Sequence, residues 1–145
     1  MTHPLVIGCG NTIRGDDAAG IRAAQLVGTE EPGVDVVTVH GPVPDLAERC
    51  AGRPQVFFLD ASTGAAGVTL RRVEASADFT PPGTHSLTPE AIAGLSRLLY
   101  GKPPEEFWVV EIPASDFSFG ERLSARTAHA VREAAARVRA LLRTG

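Results

Sequence analysis

Apolar residues fall along this chain in two rhythms, and the alternation between them predicts the fold. Leu5-Val6-Ile7 and Gln55-Val56-Phe57-Phe58-Leu59 are continuous runs, as expected of parallel strands buried on both faces. Residues 34–39 and 107–113 supply two more strands, the second closed by Pro113. Residues 68–73 alternate imperfectly and carry Arg71 and Arg72, which suits an edge strand where charge deters stray pairing. Between these runs the spacing becomes helical. One helix is expected from Asp17 to about Gly28, and a short one over residues 45–50. A third has Thr88 as its cap and Pro89 at its first position, and a fourth runs from near Ser124 to about Leu142. The expected buried stripes are Ile21, Ala24 and Gln25-Leu26 on the first helix and Ala91-Ile92, Leu95 and Leu98-Leu99 on the third. On the last helix they are Ala128, Val131, Ala135, Val138 and Leu142.

The order β-α-β-α-β-β-α-β-α predicts an α/β fold: a three-layer αβα sandwich around a mostly parallel, mixed five-stranded sheet. The arginine-bearing strand is the expected antiparallel member. Neither a linker nor an internal repeat interrupts the 145 residues, so residues 1–145 are read as one domain.

Charge and composition narrow the functional classes. A net charge of −3, with no long block of either sign, argues against a nucleic-acid footprint. No apolar run is long enough for a membrane span and the N-terminus lacks a signal-peptide pattern, so the cytoplasm is expected. Two cysteines, Cys9 and Cys50, are too few for a disulfide scaffold or a Cys-rich metal centre.

Ligands of open α/β sheets bind beyond the carboxyl ends of the strands. That rule selects Asp16 and Asp17 after strand one, His40 after strand two, Asp60 after strand three, and Glu111 near the end of the last strand. His85, in the loop that enters the third helix, can fold over the same edge. The first pair closes the stretch Gly8-Cys9-Gly10-Asn11-Thr12-Ile13-Arg14-Gly15-Asp16-Asp17. One carboxylate suffices to cap the helix that follows, so the second requires its own account. Asp17, Asp60 and His85 make a mixed oxygen and nitrogen set suited to zinc or nickel. Each also has an ordinary structural reading: a helix cap for Asp17, a loop brace for Asp60 and a surface residue for His85. Asn11 reads as a turn-former, and Gly10 and Gly15 as positions of unusual backbone or close approach. A Cys9 nucleophile would need an activating base that the sequence does not place. Ile13 occupies the third glycine position of a dinucleotide fingerprint, and the phosphate-loop, His-Glu-x-x-His and Gly-x-Ser-x-Gly patterns are absent.

Taken together, these residues resemble the hydrogenase maturation proteases, the endopeptidases that trim the large subunit of nickel-iron hydrogenases. The resemblance rests on Gly8-x-Gly10-Asn11, Gly15-Asp16-Asp17-x-x-Gly20 and Asp60 at the end of an apolar strand. Thr84-His85-x-Leu87-x-Pro89, Ile112-Pro113 and Phe117-x-Phe119-Gly120-x-x-Leu123-Ser124 complete it, over about residues 4 to 135. It implies removal of a C-terminal extension from a nickel-loaded large-subunit precursor as partner, without nucleic acid or membrane. It also implies that Asp17, Asp60 and His85 recognise the nickel, which the substrate presents, with no organic cofactor. Asp16 joins them as a candidate catalytic residue, which orients Asp17, caps the helix or acts as base. The segment Val39-His40-Gly41-Pro42-Val43-Pro44 departs from the acidic, glycine-containing segment of many members, leaving His40 as a candidate substrate contact. Two rival readings are a hydrolase of another substrate class and a metallochaperone or accessory binding protein without peptidase activity.

Overall fold

The computed structural model describes residues 3–75 and 88–142. Five strands form one sheet: β1 (Leu5–Cys9), β2 (Asp35–Val39), β3 (Val56–Ser62), β4 (Thr69–Val73) and β5 (Phe107–Pro113). Their spatial order is β2-β1-β3-β5-β4. The first four in that order are parallel, and β4 pairs antiparallel with β5 at the edge, as its arginines predict. Four α-helices cover the faces: α1 (Ala19–Glu30), α2 (Leu46–Cys50), α3 (Pro89–Tyr100) and α4 (Ala125–Leu141). The expected sandwich is therefore present.

Alternation along each strand divides the core in two. Val6, Phe57, Leu59, Val110 and Ile112 face α1 and α4, where Ala23, Ala24, Val27, Ala134, Ala135 and Val138 meet them. Leu5, Ile7, Val56, Phe58, Phe107 and Val109 face the other way, onto Leu46 and Cys50 of α2 and Ile92 and Ala93 of α3. Both faces of the central strands are thus apolar, which is why β1 and β3 read as unbroken hydrophobic runs.

Three helical stripes differ from expectation. On α1 the buried face is Ala19, Gly20, Ile21, Ala23, Ala24 and Val27, with Gln25 exposed, and the helix passes Gly28 to end at Glu30. On α4, Thr127, Ala130 and Ala134 join the buried face while Ala128 is half-buried. On α3 the buried face is Ala91, Ile92, Ala93, Gly94 and Ser96, and Leu98 and Leu99 are 67% and 59% exposed. The cause is the partner. The Ser96 hydroxyl donates to the Ala47 carbonyl at 2.7 Å, drawing this face onto α2, which is only five residues long. The last turn of α3 therefore runs past the element that would have covered it.

The ends of α3 follow the sequence closely. The Thr88 side chain accepts from the Ala91 N–H at 3.1 Å, Pro89 opens the helix, and Gly101 closes it in the left-handed conformation at φ 77°. Because α3 finishes where Gly52 N–H bonds to the Lys102 carbonyl, at the amino end of the sheet, its 12 residues lead back toward the carboxyl end. The chain re-enters the described structure there, at Thr88.

Candidate active site

Register alone brings three polar side chains into one row. Gly8 pairs with Leu59 and Asp60 with Glu111, so Cys9, Asp60 and Glu111 stand at one level on adjacent strands β1, β3 and β5. Strand alternation turns all three toward the α2/α3 face, at the carboxyl end of the parallel strands. Thr69 on β4 continues the row, its hydroxyl donating to Glu111 Oε1 at 3.3 Å. Asp60 lies within β3 rather than just beyond it, since pairing with β5 continues to Ser62.

Asp17 reaches this row from the turn after β1. Gly10 leaves the strand with φ 149°, and a β-carbon there would sit 2.0 Å from the Asp17 carbonyl oxygen. Gly15 has φ 56°, and a β-carbon there would come within 2.4 Å of the Asp116 carbonyl oxygen. Only glycine satisfies both conditions at either position. Asn11 folds its own side chain back to accept from the Ile13 N–H at 3.0 Å, the turn-forming role expected of it. The chain then makes a 3-10 turn at Gly15–Ala18 before α1, so the helix opens later than Asp17. Neither aspartate caps it. Asp17 Oδ2 instead accepts from the Asn11 N–H at 3.0 Å, which fixes a half-buried carboxylate at the mouth of the turn.

Asp16 points the other way, fully buried at 0% exposure. Its Oδ1 accepts from the Ser124 N–H at 2.7 Å. Its Oδ2 accepts from the N–H groups of Ser115 and Asp116, both at 2.9 Å, and from the hydroxyls of Ser124 at 2.8 Å and Thr127 at 2.9 Å. Burial acts to raise this carboxyl's pKa, but the bonds from Ser115, Ser124 and Asp116 outweigh it and hold the group down at about 2. Asp16 is therefore an anion at neutral pH that ties the loop between β5 and α4 to the turn after β1. None of the sequence patterns exposed this cradle. Ser124 was visible as a helix start and as the end of the last resemblance motif, and it does also cap α4, accepting from the Thr127 N–H at 3.3 Å.

The electrostatics of the row differ from those of the cradle. Burial pushes the Asp60 carboxyl up to about 6, against the Ala61 N–H bond, and the charges of Asp17 and Glu111 add to the rise. Burial, then Asp60 and Asp17, push the Cys9 thiol up to about 12. A thiol so held is protonated at neutral pH, and the thiolate is the nucleophilic form. Cys9 is thus a packed side chain rather than an attacking group. Asp17 and Asp60, distant in sequence, lie close enough for their charges to act on one another. His85 lies outside the described residues. His40 is exposed just after β2, where the Gly10 N–H bonds to the Val39 carbonyl at 3.0 Å, so it borders the same edge. His129 is exposed on α4 and His3 lies beside Asp35, at the opposite end. Among the described residues no group of three His, Cys, Asp or Glu side chains is arranged to hold a metal ion.

A mostly parallel α/β sandwich of this kind recurs among solved structures. The chain superposes on the hydrogenase maturating endopeptidase HybD of Escherichia coli with a TM-score of 0.72 at 19% identity, covering 95% of this chain and 90% of that one. With the [NiFe] hydrogenase maturation protease HybD of Thermococcus kodakarensis the TM-score is 0.69 at 22% identity, over 97% and 99% of the two chains. A hydrogenase 2 maturation peptidase from a Thaumarchaeota archaeon gives 0.64 at 20% identity, over 94% and 95%. The chain thus has the fold of the hydrogenase maturation endopeptidases. No protein-family model and no curated protein sequence matches it.

Proposed function

We propose that this protein is an endopeptidase that removes the C-terminal extension of a nickel-loaded hydrogenase large-subunit precursor. The observation that carries this reading is the meeting of Asp17 and Asp60 at the carboxyl edge of a sheet with the maturation-endopeptidase fold. The sequence motifs agree with it: Gly10, Asn11, Gly15, Asp16 and Asp17 of the opening turn each have a structural task at that edge.

In this reading the precursor's C-terminal segment lies across the edge, and its nickel centre approaches Asp17, Asp60 and His85. The nickel belongs to the substrate. It positions the neighbouring peptide bond and lends positive charge to the carbonyl oxygen as that oxygen becomes negative. A water molecule adds to the carbonyl carbon, a rim carboxylate takes its proton, and the proton passes to the departing amine as the C–N bond breaks. Asp16 is the positioning residue, since its oxygens are consumed by five bonds and it faces away from the row. His40 is a substrate contact at the neighbouring strand end. Two buried cysteines without a disulfide suit a cytoplasmic reaction. Among the described residues no helix is long and apolar enough to cross a membrane.

The test is incubation with candidate large-subunit precursors, with and without nickel, followed by intact-mass measurement. Loss of a C-terminal peptide from the loaded precursor alone is expected. D17A, D60A and H85A should each slow that cleavage by at least about 100-fold. Parental rates in all three variants would refute the assignment. Stable association without any mass change would point to a binding protein instead.

A further inference from the structure

Large apolar side chains exposed on the described surface are few, and their placement is uneven. Leu98, Leu99 and Tyr100 sit together at the end of α3, and Leu141 sits at the end of α4. The other three, Ile13, Val43 and Phe119, lie in the three connections β1–α1, β2–α2 and β5–α4. All three connections leave the carboxyl ends of parallel strands, so these residues rim the same edge as Asp17 and Asp60.

Phe119 is the extreme case, at 84% exposure, with Ile13 at 47%. Single exposed apolar residues are commonplace on proteins and carry no message alone. Here the backbone beneath them is fastened with unusual thoroughness. The Gly120 N–H donates to the Ile13 carbonyl at 2.7 Å, and the Gly15 N–H donates to the Gly120 carbonyl at 2.9 Å. Arg14 Nε donates to the Phe117 carbonyl at 3.3 Å, and the Asp16 N–H to the Asp116 carbonyl at 2.7 Å. The buried Asp16 carboxylate secures both ends of the same loop, at Ser115 and Ser124. A phenylalanine held on so rigid a support loses little conformational freedom when something packs on it, which favours binding. Beside Ile13 in the chain stands Arg14, exposed and without an ion pair among the described residues, while the exposed carboxylates of Asp116 and Glu121 border the Phe119 loop.

We infer that Ile13 and Phe119, beside Arg14, form an apolar grip for the precursor segment that adjoins the scissile bond. This rests on the endopeptidase reading and names the part of the substrate that the rim holds. The occupant is a polypeptide segment offering an apolar side chain to Phe119 and an acidic group to Arg14. One feature selects it over a second copy of this chain. The grip is continuous, through the backbone of residues 13–17, with the carboxylate that meets the reacting region.

The experiment compares the parent, F119D, F119L and L98S on one nickel-loaded precursor, with cleavage followed by intact mass and folding checked by circular dichroism. F119D is expected to raise KM at least about tenfold while kcat stays within about twofold, as for loss of an anchor that does no chemistry. F119L should recover most of the parental KM. L98S removes another well-exposed apolar side chain, remote from the edge, and should match the parent. A folded F119D with parental KM overturns the inference, as does an L98S effect equal to that of F119D. If the parent cleaves no precursor, the endopeptidase reading falls and the grip falls with it; if it cleaves and F119D cleaves equally well, only the grip falls.

Discussion

Asp16 and Asp17 are adjacent, yet the fold gives them opposite surroundings, and substitution should separate them. Asp16→Asn keeps the shape but sets an amide N–H₂ against donors that need an acceptor, so about 2–4 kcal/mol of stability should be lost at pH 7. Denaturant unfolding of the purified variant measures this. In the parent, the folded pKa of Asp16 lies at about 2, below its ordinary 3.8. Its contribution is therefore complete above pH 4 and declines as pH falls toward 2. Asp60 has the reverse sign, because its carboxyl is raised from 3.8 to about 6. Between those values the folded chain holds a proton that the unfolded chain has released. Stability from this group is full below about pH 4 and is lost as pH rises through 6, at a cost of up to about 3 kcal/mol by pH 7. Asp60→Asn should therefore raise the melting temperature at pH 7, with the gain shrinking at pH 4, even as cleavage fails. An equal shift at both pH values would contradict the assigned environment. Asp17 and Asp60 were legible in sequence because each follows or ends an apolar run. The inward turn of Asp16 was not, since its partners Ser115, Ser124 and Thr127 share no local pattern with it.

Among the elements, the strands were the most readable. Unbroken apolar runs in β1 and β3 reflect burial on both faces, and Arg71 and Arg72 in β4 reflect its edge position. The caps of α3 and α4 were readable too, because Thr88, Pro89 and Ser124 act on neighbours within three residues. The exposed turn at Leu98 and Leu99 was unreadable, because it depends on how soon α2 ends on the other side of the contact. The two caps now make a comparison. Thr88→Ala removes one bond, to the Ala91 N–H, and should cost about 1 kcal/mol. Ser124→Ala removes a cap and also a hydroxyl bond to the buried Asp16, so it should cost about 2 kcal/mol or more. Equal unfolding midpoints for the two variants would show that the bond to Asp16 contributes nothing to stability.

For the molecule as a whole, the order of assembly follows from where the Asp16 bonds lead. Its partners stand 99 to 111 residues further along the chain. Pairings of such separation are among the slowest to form, since a long stretch must close before they bring any gain. During synthesis the turn that carries Asp17 leaves the ribosome early and then waits for Ser115, Ser124 and Thr127 to emerge. Until they do, Asp16 has no cradle, and the rim it shapes has no fixed form. The turn that opens the chain is thus completed by residues made some hundred positions later, so the rim takes its final form only once Ser115, Ser124 and Thr127 are in place.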